Sequence, residues 1–373
     1  MEKPDLKQIF SNENSYLIPS YLDFKTKQYL LKVWQEQKLS EHVFLTSSGT
    51  TSGSLIKTYA LSKKALKANA QAVNDFLDVQ KGDSWLCSLP YFHVGGLSIY
   101  FRAKLSSSAV YLYDQKWNPH LFFEYLSSNQ ITYCSVVPTQ LFDLVKNNLC
   151  PPIFLKGVFV GGDFLNESLK KTAIDLGWPL IQTYGMTETC SQIASSYTQD
   201  VDKNFLKVLP IHKLSCEANS KDYRISSPSL YSAQINIDPK KESYVRTDAT
   251  ETFLLPDLIE MKSFDDNLYI KPMGRKGDEV KIKGRLFSFL DLKNSIEQIL
   301  LDLSLYQYAA VVLDHDSRQG KILVILLEKS MHSKKHDLDQ QIKSVFPGLR
   351  DNIQIKLVER IKRTFLGKIK TDQ

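Results

Sequence analysis

The chain lacks any run of about 18 consecutive apolar residues, which excludes a hydrophobic membrane-crossing helix. Its first residues, MEKPDLKQIF, are charged and carry no apolar stretch, so neither a signal peptide nor a transit peptide is expected there. There are five cysteines, Cys87, Cys134, Cys150, Cys190 and Cys216, an odd number at irregular spacing. No CxxC or Cys/His pattern accompanies them, so neither a disulfide framework nor a zinc module is expected. Reduced thiols in a cytoplasmic protein are. Internal repeats and low-complexity tracts are missing as well. No Gly-Lys-Ser/Thr closes a glycine-rich loop, so the commonest nucleotide-binding loop is absent.

What is present describes an ordinary globular chain of 373 residues, 43% apolar and 24% charged. That length carries a prior of about two or three domains. The net charge of +6 is unevenly placed. From Gly274 onward there are 19 basic and 13 acidic residues, against 28 of each before it. A basic C-terminal module suits a polyanion, either a nucleotide-like small molecule or a nucleic acid. A solvated mixed-charge surface accounts for the excess equally well. The basic residues form no stripe with interleaved aromatics, so no nucleic-acid partner is expected.

Short apolar runs at 42–46, 84–89, 109–113, 131–137, 157–160 and 179–183 alternate with helical spacing at 62–77, 119–127 and 165–176. This alternation predicts an α/β fold around a buried, largely parallel sheet. Ligands of such sheets sit beyond the carboxyl ends of the strands. Polar clusters containing glycine follow these strands at 47–54, 93–96, 161–163 and 184–188. Between 222 and 270 the runs become short and closely connected, predicting a β-rich subdomain within about 205–273. The passage KPMGRKGDEVKIKG, with three glycines, reads as a turn-rich domain hinge. Helical spacing at 292–301 and 338–346 and apolar runs at 309–313 and 322–327 then predict a small α+β module. The expected domains are 1–273 and 274–373.

Three segments carry candidate chemistry. Thr46-Ser-Ser-Gly-Thr-Thr-Ser-Gly53, closing with Lys57, offers backbone N–H groups and hydroxyls to phosphate oxygens; a polar surface loop would read the same way. Thr183-Tyr-Gly-Met-Thr-Glu-Thr189 sets Thr187 beside Glu188, a pair able to touch a phosphate and Mg²⁺ together, and gives Tyr184 as a face for a purine. A helix N-cap with Glu188 in its first turn is the alternative. Arg363-Thr-Phe-Leu-Gly-Lys-Ile369 would by itself be a frayed tail.

Taken in order with LPYFHVGG, VPTQL, GVFVGGD, RISSPSLY, VRTD, GRKGDEVKIKG and SIEQIL, these segments resemble the adenylate-forming superfamily of acyl-CoA synthetases, luciferases and peptide-synthetase adenylation domains. The resemblance covers nearly the whole chain. It implies an ATP-dependent acid–CoA ligase with Mg²⁺ and coenzyme A. A large domain would hold the nucleotide and a small mobile domain would carry a catalytic lysine. Ser47, Ser48, Gly49, Thr50, Thr51 and Lys57 would hold the β- and γ-phosphates. Thr187 would touch phosphate, and Glu188 would ligate Mg²⁺. Gly161, Gly162, Tyr184 and Gly185 would line the adenine and acyl site. Asp248 would bind the ribose with support from Arg275, and Lys368 would bridge the attacking carboxylate and the α-phosphate. Gly277 and Asp278 fall at the family's hinge.

LPYFHVGGLSIYFR, SVVPTQL and TYGMTETCSQIA look most like the o-succinylbenzoate–CoA ligases of menaquinone biosynthesis. An aromatic diacid needs a partner for its second carboxylate, and Arg102 is the candidate, with Ser191 and Gln192 beside it. A surface arginine on an amphipathic helix is the alternative. His93 would sit by the acyl pocket in a catalytic or a structural aromatic role. A homodimer is compatible with the sequence.

Several positions depart from the family pattern. The phosphate loop reads SSGTTSGSLIK, longer than usual and without its proline. VRTD has lost the glycine of the usual TGD, and Lys362 stands where proline is usual. The phosphate loop also begins unusually early, at residue 46, which reads as a compact form lacking much of the first N-terminal subdomain. A ligase for another aryl or medium-chain acid, or a non-catalytic nucleotide-binding relative, would share most of these motifs.

Overall fold

The computed structural model describes residues 4–47, 55–162, 164–197, 205–216, 222–282, 285–316, 320–347, 349, 352–363 and 369. Its centre is a nine-stranded mixed sheet. Ser84–Cys87, Ala109–Leu112, Tyr133–Val136, Gly157–Val160 and Leu180–Met186 run parallel, in register through pairs such as Leu86↔Cys134, Cys134↔Val158 and Val158↔Leu180. Their continuous apolar character follows from burial on both faces: Ser84–Cys87, Tyr133–Val136 and Gly157–Val160 are buried at every position. Helices Val94–Ser106, Pro119–Ser128, Pro138–Lys146 and Glu167–Asp175 intervene along the chain. Asn118 and Asn166 cap two of them through their side-chain oxygens, and Pro119 and Pro138 open two, so the sequence marks these starts directly. The mixed α/β class expected from the sequence is the class observed.

The parallel run ends at Leu180–Met186. The sheet continues antiparallel through Ser191–Tyr197, Leu206–Val208, Asn267–Arg275 and Asp257–Phe264. The strand His42–Thr46 is corrected from its expected place among the parallel strands. It lies in a separate five-stranded sheet and pairs antiparallel with Ile56–Ser62 (Leu45↔Tyr59), so the phosphate-loop segment joins two arms of a hairpin. Ile56–Ser62 pairs on its other side with Ala233–Asp238, and the outermost strand, Ser243–Asp248, is exposed at all six positions. Helix Lys63–Leu77 packs against helix Val94–Ser106 and the strand Ser191–Tyr197, tying the two sheets together.

Within 271–282 the turn-rich reading is corrected. Asn267–Arg275 runs as a strand into it, a turn follows at 276–278, and Glu279–Ile282 then pairs with Arg285–Ser288. Beyond lies a three-stranded sheet, Ala309–Asp316, Gly320–Glu328 and Ile353–Val358, packed on helices Phe289–Asp302 and Lys335–Val345 around its own core of Ile296, Leu300, Leu323, Ile325 and Leu338. This module touches the larger body through polar pairs: Asn166 Nδ2 to the Asn294 carbonyl at 3.5 Å, Lys146 Nζ to Gln307 Oε1 at 3.2 Å, and Ser168 to Gln298. The Phe142 and Tyr306 rings add an apolar contact at 5.0 Å. Among the described residues no helix is long and apolar enough to cross a membrane.

Lys63 fastens the N-terminal segment. Its ammonium is buried and donates to the carbonyls of Gln8 (2.9 Å), Ser11 (2.9 Å) and Glu13 (2.6 Å). Removing this buried donor takes one partner from three carbonyls at once. Lys63→Met is expected to cost about 1–3 kcal/mol in chemical denaturation, and an unchanged midpoint would contradict this role.

Candidate active site

Two segments 131 residues apart converge beside the 47–57 loop. The backbone N–H of Ser47 donates to the Lys57 carbonyl at 2.9 Å, closing the loop at its base. Ser48, Gly49, Thr50 and Thr51 lie outside the described residues. The Lys57 ammonium stands 3.3 Å from Glu188 Oε1 and 5.1 Å from the centre of the Tyr59 ring, and the Tyr59 hydroxyl donates to the same carboxylate oxygen. Burial and the adjoining Glu188 carboxylate push the Tyr59 phenol far above its ordinary range, so it stays a donor. Glu188 lies in a short 3₁₀ turn, Thr187–Thr189, directly after the strand Leu180–Met186; the helix N-cap alternative is replaced by this single turn. Its carbonyl accepts from the Tyr231 N–H at 2.9 Å.

The chain around this turn is bent sharply. A side chain at Gly185 would place Cβ 2.0 Å from the Ser191 carbonyl oxygen, so no larger residue fits without moving backbone. Cys190 is left-handed, φ 55°, and Ser191 has φ 127°, a conformation unfavourable for a residue with a side chain. Two buried side chains hold it. Asn69 Nδ2 donates to the carbonyls of Thr189 (3.1 Å) and Gln192 (2.7 Å), and its oxygen accepts from the Gln192 N–H at 3.3 Å. His212 Nε2 donates to the Gln192 carbonyl at 2.9 Å. Gln192 is thus engaged through its backbone, and its side-chain oxygen accepts from Ser195.

Along the strand the Tyr184 hydroxyl donates to Asp257 Oδ2 at 2.6 Å, and Asp257 Oδ1 lies 3.6 Å from Arg275 Nε. One carboxylate therefore links the candidate adenine face to the candidate ribose support. Gly161 follows the neighbouring strand, close enough to Thr183 that a Cβ would meet its hydroxyl at 2.9 Å, and Gly162 has φ 88°. Asp248, at the end of the exposed edge strand, is paired with Arg246 at 2.6 Å. Gly277 (φ 82°) and Asp278 form the turn after Arg275, closed by the Asp278 N–H on the Arg275 carbonyl at 3.1 Å.

Arg102 is no surface residue. On the helix Val94–Ser106 it is 2% exposed, with its guanidinium 5.4 Å from the Phe159 ring centre and 5.6 Å from that of Trp85. Its Nη2 donates to Ser191 Oγ at 3.2 Å, which brings these two candidates together. Among the described residues no carboxylate pairs with it, Nε has no hydrogen-bond partner, and burial alone pushes its basicity down to about 9. A buried cation without an anion is costly, and an entering carboxylate would relieve that cost. His93 caps the same helix by position and packs its ring 4.8 Å from Phe92. Lys368 lies outside the described residues. Arg363 and Ile369, which flank it, line a cavity with Val137, Pro138 and Thr139, at the carboxyl end of the strand Tyr133–Val136.

Tyr59, Asn69, His212, Tyr231 and Asp257 escaped the sequence reading. Each acts on a partner far along the chain; only Tyr231 lies in a quoted motif, as the last residue of RISSPSLY, which assigned it no role. Among the described residues no three His, Cys, Asp or Glu side chains gather as a metal cluster. A Mg²⁺ ion accompanied by phosphate oxygens needs only one or two carboxylates, and Glu188 fits that requirement.

Residues 27–212 match the sequence family described as AMP-binding enzyme. It is similar to the 2-succinylbenzoate–CoA ligase of Lactococcus lactis, 25% identical over 304 residues, 79% of this chain and 62% of that protein. It therefore spans less than two thirds of this relative's length. Its fold is similar to that of o-succinylbenzoate coenzyme A synthetase from Bacillus subtilis in complex with AMP, with a TM-score of 0.68, 20% identity, and coverage of 88% of this chain and 67% of that one. The same synthetase in complex with ATP and magnesium ion matches 97% of this chain and 79% of that one, at TM-score 0.68 and 18% identity.

Burial pushes the His212 imidazole from 6.5 down to about 4. The unfolded chain therefore binds a proton that the folded chain refuses, and stability present above pH 6.5 falls as the pH drops toward 4. That loss should amount to about 3 kcal/mol in denaturant titrations and should shrink in His212→Gln. An identical pH slope in the variant would refute it.

Proposed function

We propose that this protein is an AMP-forming acid–CoA ligase acting on o-succinylbenzoate. The observation that carries the reading is the junction of Lys57 and Glu188 at the base of the 47–57 loop, 3.3 Å apart. A cation and a carboxylate meeting beside a hydroxyl-rich loop suit a triphosphate with its Mg²⁺. Similarity to ligases named for 2-succinylbenzoate supports the substrate.

In the first step an oxygen of the substrate carboxylate attacks the α-phosphorus of ATP, and the bond to the β-phosphate oxygen breaks. The products are an acyl-adenylate and diphosphate. Lys57 and the loop hydroxyls hold the departing phosphates, and Thr187 contacts them from the 3₁₀ turn. Glu188 ligates Mg²⁺, which when bound neutralises phosphate charge. Tyr184 stacks on adenine, with its hydroxyl fixed by Asp257. Asp248 takes the ribose hydroxyls, and Arg275 supports them. Lys368 supplies the cation at the carboxylate and α-phosphate, where negative charge is concentrated. In the second step the thiol of coenzyme A attacks the acyl carbonyl, AMP leaves and the thiol proton goes to solvent.

The module beyond Asp278 rotates about Gly277–Asp278 between these steps; Gly274 and Arg275, which the sequence placed in it, belong to the body's sheet. Its seam with the body is mostly polar, and a side chain placed at Gly277 would meet nothing within 4 Å, which leaves that turn room to reorient. Arg102, buried and without an acidic partner among the described residues, receives the second carboxylate of the diacid beside Ser191. His93 contributes a wall of the acyl site.

Diphosphate release and thioester formation should be measured with o-succinylbenzoate, benzoate and a fatty acid. The diacid should be preferred by at least about tenfold in kcat/KM, and no preference would overturn the substrate assignment. Arg102→Ala should raise KM for the diacid about 10- to 100-fold and leave that for ATP unchanged. Lys368→Ala should abolish diphosphate release while ATP binding persists. ATP binding without diphosphate release from the unaltered chain would mark a non-catalytic relative instead.

A further inference from the structure

Glu188 is gripped at one oxygen. Tyr59 Oη and Lys57 Nζ both donate to Oε1, and among the described residues no hydrogen bond reaches Oε2. The two donors differ in freedom. Lys57 carries its charge on a flexible stem, one third exposed, and in the ligase reading it turns to the phosphates when ATP arrives. Tyr59 cannot follow. Its strand is paired on both sides, to Leu45 and to Gln234, and its ring is wholly buried and meets the Tyr231 ring edge-on at 5.4 Å. The hydroxyl lies on the ring axis, so ring flips leave it where it is. Tyr231 in turn fixes the Glu188 backbone through its N–H. Both the main chain and one carboxylate oxygen of Glu188 are thus immobilised from the same pair of tyrosines.

Resting on the ligase reading, we propose that Tyr59 is a positioning residue that makes Glu188 a one-oxygen ligand and thereby sets the preference for Mg²⁺ over Ca²⁺. The physical reason lies in the ions. Mg²⁺ demands near-ideal octahedral geometry at about 2.0–2.1 Å and takes carboxylates one oxygen at a time, whereas Ca²⁺, at about 2.3–2.6 Å, accepts both oxygens and irregular shells. A carboxylate whose Oε1 is occupied by a rigid donor presents Oε2 alone, which serves Mg²⁺ fully and denies Ca²⁺ its second contact. Freed of the hydroxyl, the same carboxylate could rotate and offer both.

The test is nucleotide binding by the full chain, measured calorimetrically with a non-hydrolysable ATP analogue as its Mg²⁺ complex, as its Ca²⁺ complex and without metal. The unaltered chain should bind the Mg²⁺ complex more tightly than the Ca²⁺ complex. Tyr59→Phe, which keeps the buried ring, should lower that ratio about 5- to 10-fold, leave metal-free binding unchanged and keep the melting temperature within about 3 °C. Glu188→Gln should erase the metal preference. An unchanged ratio in Tyr59→Phe, with the preference lost in Glu188→Gln, overturns the role of Tyr59 alone. Equal weakening of all three complexes in Tyr59→Phe makes Tyr59 merely structural and overturns it too. A metal preference that survives Glu188→Gln overturns the Glu188 assignment, and this proposal with it.

Discussion

The candidate site depends on fixing a carboxylate that sits on a turn too short to fix itself. Glu188 occupies a single 3₁₀ turn, between a strand that ends and another that begins in an unfavourable backbone conformation. Such a segment persists only where its surroundings over-determine it. Here they do so from three directions: Asn69 and His212 brace the exit of the turn, Tyr231 holds its carbonyl, and Lys57 and Tyr59 hold the side chain. These groups come from a helix, a loop and one sheet packed against another. The placement of Glu188 is therefore a property of the assembled body, although the acid and the loop are each local features of sequence.

The same dependence explains what could be read from sequence and what could not. The parallel strands were legible because burial on both faces leaves a continuous apolar run, and the helices Pro119–Ser128 and Glu167–Asp175 because their apolar residues recur at helical spacing, whereas Pro138–Lys146 was not read although Pro138 marks its start. The strand Ile56–Ser62 was not, since Ile-Lys-Thr-Tyr-Ala-Leu-Ser shows no two-residue alternation and Lys57 was read as the close of the polar loop. Ser191–Tyr197 was hidden by four polar residues among its seven, all but the last position buried against the helix Lys63–Leu77 and its neighbours. In 271–284 the glycines and charges read as a turn throughout, although the strand carries its hydrogen bonding as far as Arg275.

Site chemistry divides along the same line. Short motifs gave Lys57, Glu188, Tyr184 and Arg275 as candidates, and the fold draws Lys57 to Glu188 and links Tyr184 to Arg275. The linkers themselves, Tyr59 and Asp257, carry no signature, because their role is to touch something 129 and 73 positions away. Arg102 was legible as a cation and illegible as a buried one. Its helix is apolar on nearly every side, so no amphipathic stripe told which way it faced.

The outermost strand of the five-stranded sheet has a consequence for handling the protein. Ser243–Asp248 offers a free row of backbone donors and acceptors among the described residues, with Tyr244 and Val245 laid open beside it. Bare edges of this kind template association between chains. This one is interrupted by charge: Arg246 and Asp248 sit on it, and Lys240, Lys241 and Glu242 form the approach. High salt, which screens those charges, would weaken the guard and leave the edge prone to self-association.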